Sequence, residues 1–191
     1  MGRPEIADKT FDRINFTQVP PERGNYENCT FVNCIFTNTD LSAINFSDCS
    51  FTGCDLSMAK LTDSTIRDVA FKDCKLLGLL FQDCNETIFK ATFEGCNLNL
   101  SSFYKLRLKK IKFKACSLQE ADFTEADLSG ALFDNCDLGG ATFENTLLEK
   151  ADLRTAYNYA IHPELNHIKG AKFSVAGIPG LLQQYGIEIE Y

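Results

Sequence analysis

A five-residue rhythm constrains this chain more than any other feature. From Ala121 to Leu153 it reads ADF-TE, ADL-SG, ALF-DN, CDL-GG, ATF-EN, TLL-EK, ADL, a small residue, often followed by Asp, then Phe or Leu. With the large residue called i, locally extended backbone turns i and i−2 to one face and i−1 to the other. A unit that short cannot bury its own apolar pair. Burial must come from neighbouring turns of the same chain, which is the logic of a solenoid.

The i series begins at Phe11 and runs through Phe16, Pro21, Tyr26, Phe31 and onward to Phe81. Of 16 Phe residues, 15 fall in it and only Phe89 lies outside. After Phe81 the next i residue is Ile88, so Gln82 to Thr87 carries two extra residues, expected as a bulge at one corner. A longer period gives the size of one turn. Phe11, Phe31, Phe51, Phe71, Phe93, Phe113, Phe133, Leu153 and Phe173 recur every twenty residues, with one step of twenty-two at the insertion. Four pentapeptides per coil means four faces, with a column of Phe up one of them.

The nine cysteines obey the same grammar. Cys29, Cys34, Cys49, Cys54, Cys74, Cys96, Cys116 and Cys136 occupy i−2, as does Cys84 when the first register is continued. Their odd number, the lack of a CxxC pair and a position shared with Ala, Ser and Thr mark them as small buried thiols, neither a disulfide framework nor a metal site.

These consecutive units resemble the pentapeptide-repeat family, whose consensus is A(D/N)LXX. The match covers most of Tyr26 to Leu153, and AKF at Ala171 to Phe173 returns to register. The resemblance implies an all-β fold, a right-handed quadrilateral parallel β-helix with ladders of Phe or Leu at i, here with a short C-terminal helix. At about 4.8 Å per coil, nearly nine coils would make a rod of roughly 40 Å.

The expected domain plan is an irregular N-terminal coil over 1–25, the β-helix over 26–153 with its insertion near 82–87, an irregular last coil over 154–175, and a helix and strand over 176–191. In the irregular coil Asn158 and Pro163 stand where bulky residues belong. In the tail, Pro179 suits a first helical turn and Gly186 a stop, and Ile187, Ile189 and Tyr191 alternate with Glu188 and Glu190 as in a strand. An apolar rod end must be covered, either by its own helix or by a second copy. The dimer is the favoured expectation, because LL-x-x-x-GI tails resemble those of the quinolone-resistance (Qnr-type) branch, whose members dimerise there. The dimerisation residues so implied are Leu181, Leu182, Tyr185, Ile187 and Ile189.

No catalytic constellation stands out. His162 and His167 lie in the irregular coil with no nucleophile beside either, and Gly139-Gly140 belongs to a corner, not to a phosphate loop. The chain is expected to be non-enzymatic, without cofactor or metal. No apolar run approaches the ~20 residues of a bilayer span and MGRPEIADKT lacks a signal-peptide core, so a cytoplasmic protein is expected.

Charge is the patterned surface feature. Glu120, Asp122, Glu125, Asp127, Asp134, Asp137, Glu144, Glu149 and Asp152 face a single base, Lys150, in the same stretch. Over roughly 8 Å of rod this is about one net charge per ångström, against about one per 1.7 Å for duplex DNA. The preceding coil reverses sign with Lys105, Arg107, Lys109, Lys110, Lys112 and Lys114, and no acid lies between Glu94 and Glu120. A net charge of −7 and a pI near 4.9 argue against direct nucleic-acid binding. The Qnr-type resemblance implies a DNA-mimic rod that engages a type II topoisomerase, gyrase or topoisomerase IV, through this acidic surface and protects it from quinolones. The alternative is an intracellular interaction scaffold with another protein partner.

Overall fold

The structure, a computed structural model, describes residues 2–85, 87 and 89–190. Met1, Glu86, Ile88 and Tyr191 lie outside the described residues, and with them the expected i position at Ile88 and the end of the expected terminal strand.

Among the described residues eleven short strands stack in two parallel sheets. The first comprises β1 (Glu5–Ala7), β3 (Asn25–Glu27), β5 (Asn45–Ser47) and β7 (Thr65–Arg67), in that order. The second contains β2 (Thr10–Asp12), β4 (Thr30–Val32), β6 (Ser50–Thr52), β8 (Val69–Lys72), β9 (Ala91–Glu94), β10 (Lys112–Lys114) and β11 (Leu132–Asp134). Every pairing sets equivalent repeat positions on one another, as with Phe11 on Phe31, Phe31 on Phe51 and Phe51 on Phe71. The other sides of each coil are held by isolated parallel bridges, such as Asn97↔Ser117↔Asp137 and Ser102↔Asp122↔Thr142. This is a parallel β-solenoid with four inward columns. We number its faces by them: face 1 from Phe11, face 2 from Phe16, face 3 from Leu41 and face 4 from Ile6.

Face 1 stacks ring on ring. Phe31 and Phe51 lie 4.5 Å apart with planes 6° from parallel, and Phe93 and Phe113 lie 5.3 Å apart at 12°. Across the core, rings of the opposite face 3 meet them edge-on, as Phe103 does Phe113 at 5.7 Å and 78°. Offset stacks up the column and edge contacts between columns are the two arrangements the aromatic quadrupole favours. Phe31, Phe81, Phe103, Phe113, Phe123 and Phe133 are wholly buried.

The corners are made by residue i+2, which repeatedly adopts left-handed backbone, as at Asn28 (φ 52°), Asn33 (φ 52°), Asp63 (φ 56°) and Asn135 (φ 51°). Asn and Asp tolerate that region best among residues with a Cβ, which explains their frequency at this point of the repeat.

Position i−2 also has a physical rule. Cys34, Cys54 and Cys74 each donate Sγ–H to a carbonyl one coil back, on Phe11, Phe31 and Phe51 at 3.3, 3.4 and 3.4 Å. Thr146 and Asn166 do the same to Phe123 and Phe143, both at 2.8 Å. The site therefore accepts any small side chain, and a donor gains a bond there. All nine thiols are free and buried, and burial pushes Cys49 up to about 11 and Cys84 up to about 12.

The stack begins earlier than the i series from Phe11 implies. Ile6 already pairs with Tyr26 across β1 and β3. The extra length begins in the second half of the segment Gln82 to Thr87. Ser64 Oγ and Cys84 Sγ are 3.5 Å apart in a twenty-residue register, and Val69 pairs with Ala91 in one of twenty-two. The extra length therefore lies after Asn85, whose N–H still donates to Ser64. A 3-10 turn, Phe81–Asp83, replaces the usual corner. Phe89, outside the repeat grammar, is nonetheless buried, edge-on to Phe81 at 5.7 Å.

At the C-terminal end Asp152 remains bridged to Lys172 and Leu153 N–H donates to the Lys172 carbonyl, but the coil between is distorted. Asn158 is exposed with φ 61°, and Tyr159, one residue on, takes the buried place. Helix α1 (Pro179–Leu182) starts on its proline, runs into a 3-10 turn, Gln183–Tyr185, and stops at Gly186 with φ 61°. The expected strand beyond it is not formed among the described residues: 187–190 pair with no strand of either sheet. Among the described residues no helix is long and apolar enough to cross a membrane.

Candidate protein-binding surface

The nine carboxylates of the acidic stretch do not form one wall. Counted by face, Asp134 and Asp152 stand on face 1, Glu120 and Asp137 on face 2, Asp122, Glu125 and Glu144 on face 3, and Asp127 and Glu149 on face 4. They make a collar around the C-terminal half of the rod. Counting positions modulo twenty in the sequence would have shown it.

Within the collar the carboxylates differ in kind. Asp122, Asp127, Asp137 and Asp152 sit at i−1, and each accepts the backbone N–H two residues on, from Thr124, Ser129, Gly139 and Arg154, at 2.9, 3.1, 3.1 and 3.2 Å. These Asx-turns shape the corner, which is why Asp and Asn are frequent at this position. Burial would raise Asp127, but Ser129 and Lys109 hold it below the usual carboxylate range. Asp137 is likewise lowered against its own burial, by Gln119, Asn158 and the Gly139 amide, and Asp152 is lowered by the Arg154 guanidinium.

The basic coil beneath and Arg154 above partly neutralise the collar. Lys105 pairs with Glu125 at 3.4 Å, Lys109 with Asp127 at 3.3 Å, and Arg154 with Asp152 at 2.7 Å. Asp134 accepts from Asn135 and Thr155. Glu120, Glu144 and Glu149 have no ion pair among the described residues, and they project from corners or from i+1. The charge available to a partner is concentrated on them.

The expected dimerisation residues divide in two. Leu181 is buried in its own core, a correction to its assignment as an interface residue, because α1 closes the end of the stack. The seat is tight. A Cβ on Gly180 would lie 2.2 Å from the Tyr159 carbonyl, and one on Gly177 1.9 Å from the Tyr159 hydroxyl. Leu182 is half-buried, while Tyr185, Ile187 and Ile189 are exposed beside exposed Val175 and Ile178. With Pro179, Leu182, Ile187 and Ile189 form an apolar groove over the rod end.

Among the described residues no group of His, Cys, Asp and Glu is arranged to hold a metal ion. His162 Nδ1 accepts from the Glu164 amide at 3.2 Å, and His167 continues the face 4 bridges onto Leu147.

Residues 25–88 and 86–156 match the family model described as pentapeptide repeat region. Among solved structures, full-length QnrB1, described as a plasmid-mediated fluoroquinolone resistance protein, is similar at 19% identity and a TM-score of 0.53, over 96% of this chain and 100% of that one. HetL from the cyanobacterium Nostoc sp. strain PCC 7120, described as involved in heterocyst differentiation regulation, is similar at 18% identity and a TM-score of 0.56, over 92% and 86%. No curated protein matches.

Proposed function

This chain belongs to the pentapeptide-repeat family, and on that premise we propose that it is a non-enzymatic, protein-binding rod of the DNA-mimic type whose partner is a type II topoisomerase, gyrase or topoisomerase IV. The observation that carries the reading is the collar. Carboxylates on all four faces of a rigid rod present negative charge to a cationic saddle whichever side approaches, as a duplex does. The similarity to QnrB1 supports the partner class and, with it, protection of the enzyme from quinolones. Two rods joined through the apolar C-terminal groove would double the acidic length. The test is a gyrase supercoiling assay with and without ciprofloxacin. Altered supercoiling or altered drug sensitivity supports the reading; unchanged values with the protein in large excess over the enzyme refute it.

A second reading, an interaction scaffold for a different protein, draws on the compensation within the collar. Three of its carboxylates are already paired with cations, which lowers the field a DNA-binding surface would meet. The similarity to HetL, described as involved in heterocyst differentiation regulation, sets the same fold beside a role other than fluoroquinolone resistance. Unchanged supercoiling and drug sensitivity in the assay, together with binding to another protein, would select it.

A further inference from the structure

The basic coil does more than compensate the collar. At the corner between faces 4 and 1, Lys90, Arg107, Lys109, Lys110 and Lys112 line one groove of about 380 Å³, within the roughly 300–1,000 Å³ of small-molecule clefts. Its floor is apolar, made by Phe89, Ala91, Leu108 and Ile111. The insertion creates this gathering. By shifting the register after Asn85 it sets Lys90 and Phe89 directly beneath the Lys109–Lys112 corner.

Two of the five cations have acidic partners, Lys90 with Asp68 and Lys109 with Asp127. Arg107, Lys110 and Lys112 have none among the described residues. Lys110 is exposed at a corner with φ 58°, and the residue over it in the next coil is Gly130, which has no side chain to lie against the lysine stem. The surplus of three positive charges in a protein of net charge −7 is a local field that only an anion would satisfy.

The field is also short. The next coil brings Asp127 and Asp134, and the coils before bring Asp68, Asp73 and Glu94, so a long polyanion would run from the groove onto carboxylates in both directions. We infer that this corner is a binding site for a compact phosphorylated small molecule of the nucleoside polyphosphate class. Its phosphates lie between Arg107, Lys110 and Lys112, the guanidinium gripping phosphate oxygens in bidentate fashion, and its flat apolar part rests on the floor by Phe89 and Ile111.

Isothermal titration of the full chain with ATP, inorganic tripolyphosphate and a short DNA duplex at physiological salt tests this. The site predicts saturable binding of one ATP per chain, weaker binding of tripolyphosphate, and weaker binding still of the duplex. Arg107→Gln with Lys110→Gln should lower ATP affinity by about tenfold or more, while Lys105→Gln, which lies in the same basic coil but outside the groove, should leave it within about twofold. All three are surface substitutions, and unchanged thermal unfolding checks that the fold is kept. Non-saturable binding, equal losses at Lys105 and at the groove, or tighter binding of the duplex than of ATP would each overturn the assignment.

Discussion

Lys109 Nζ and Asp127 Oδ2 lie 3.3 Å apart, joining the basic coil to the acidic collar one coil above it. The same carboxylate accepts Ser129 N–H at 3.1 Å and Ser129 Oγ–H at 2.6 Å. One side chain thus holds a corner and an ion pair together. Negative charge counted along this chain overstates what the surface presents, since much of it is already engaged by the repeat.

Removing a ring from the centre of a column should cost more than removing one from its end. Phe113 is fully buried and touches Phe93, Phe103, Phe123 and Phe133. Phe113→Ala is expected to lose about 3–5 kcal/mol in urea unfolding, and Phe11→Ala, half-buried at the first coil, clearly less. Equal losses would mean the columns do not share load as stacked.

The Asx-turn carboxylates set an acid limit on stability. Asp127, Asp137 and Asp152 have lowered folded pKa values, so their contribution is present above the unfolded value of about 3.9 and is lost as pH falls through the folded value. Urea midpoints should be flat from neutral pH to about 5 and fall below about 4. Asp137→Asn keeps an acceptor for the Gly139 amide and should flatten part of that fall. Asp137→Ala should cost about 0.5–1 kcal/mol at neutral pH, a modest figure because the site is largely exposed to solvent.

The seat of α1 depends on two glycines. Gly180→Ala places a methyl against the Tyr159 carbonyl, and the helix should lift from the rod end. Hydrogen exchange of the amides from Ile178 to Gly186 is expected to accelerate, with the central coils unaffected.

Tyr185, Ile187 and Ile189 are exposed at the rod end and are the residues through which the proposed dimer would associate. Light scattering is expected to give twice the chain mass, and Ile187→Asp with Ile189→Asp to restore the single mass without change in the solenoid's circular dichroism. A wild-type protein of single mass would remove dimerisation from the proposal.

The solenoid was legible in the sequence because its period is set by packing. Phe31, Phe51 and Phe71 could be aligned by counting, and they stack. So was the helix, because Pro179 and Gly186 act locally. What counting missed depends on neighbours one coil away. Phe89 breaks the five-residue grammar yet is buried, since the insertion turns it onto Phe81. Leu181 reads as an interface residue but fills its own core. The acidic stretch reads as one surface, whereas the turn of four pentapeptides distributes it over four faces.

Binding to gyrase by surface interferometry, comparing wild type with Glu120→Gln, Glu144→Gln and Glu149→Gln combined, tests the central claim most directly. The account predicts wild-type binding that weakens steadily with salt and about a tenfold or greater loss in the triple variant, whose corners and ion pairs are intact. Wild-type affinity in the triple variant, or binding indifferent to salt, would contradict it.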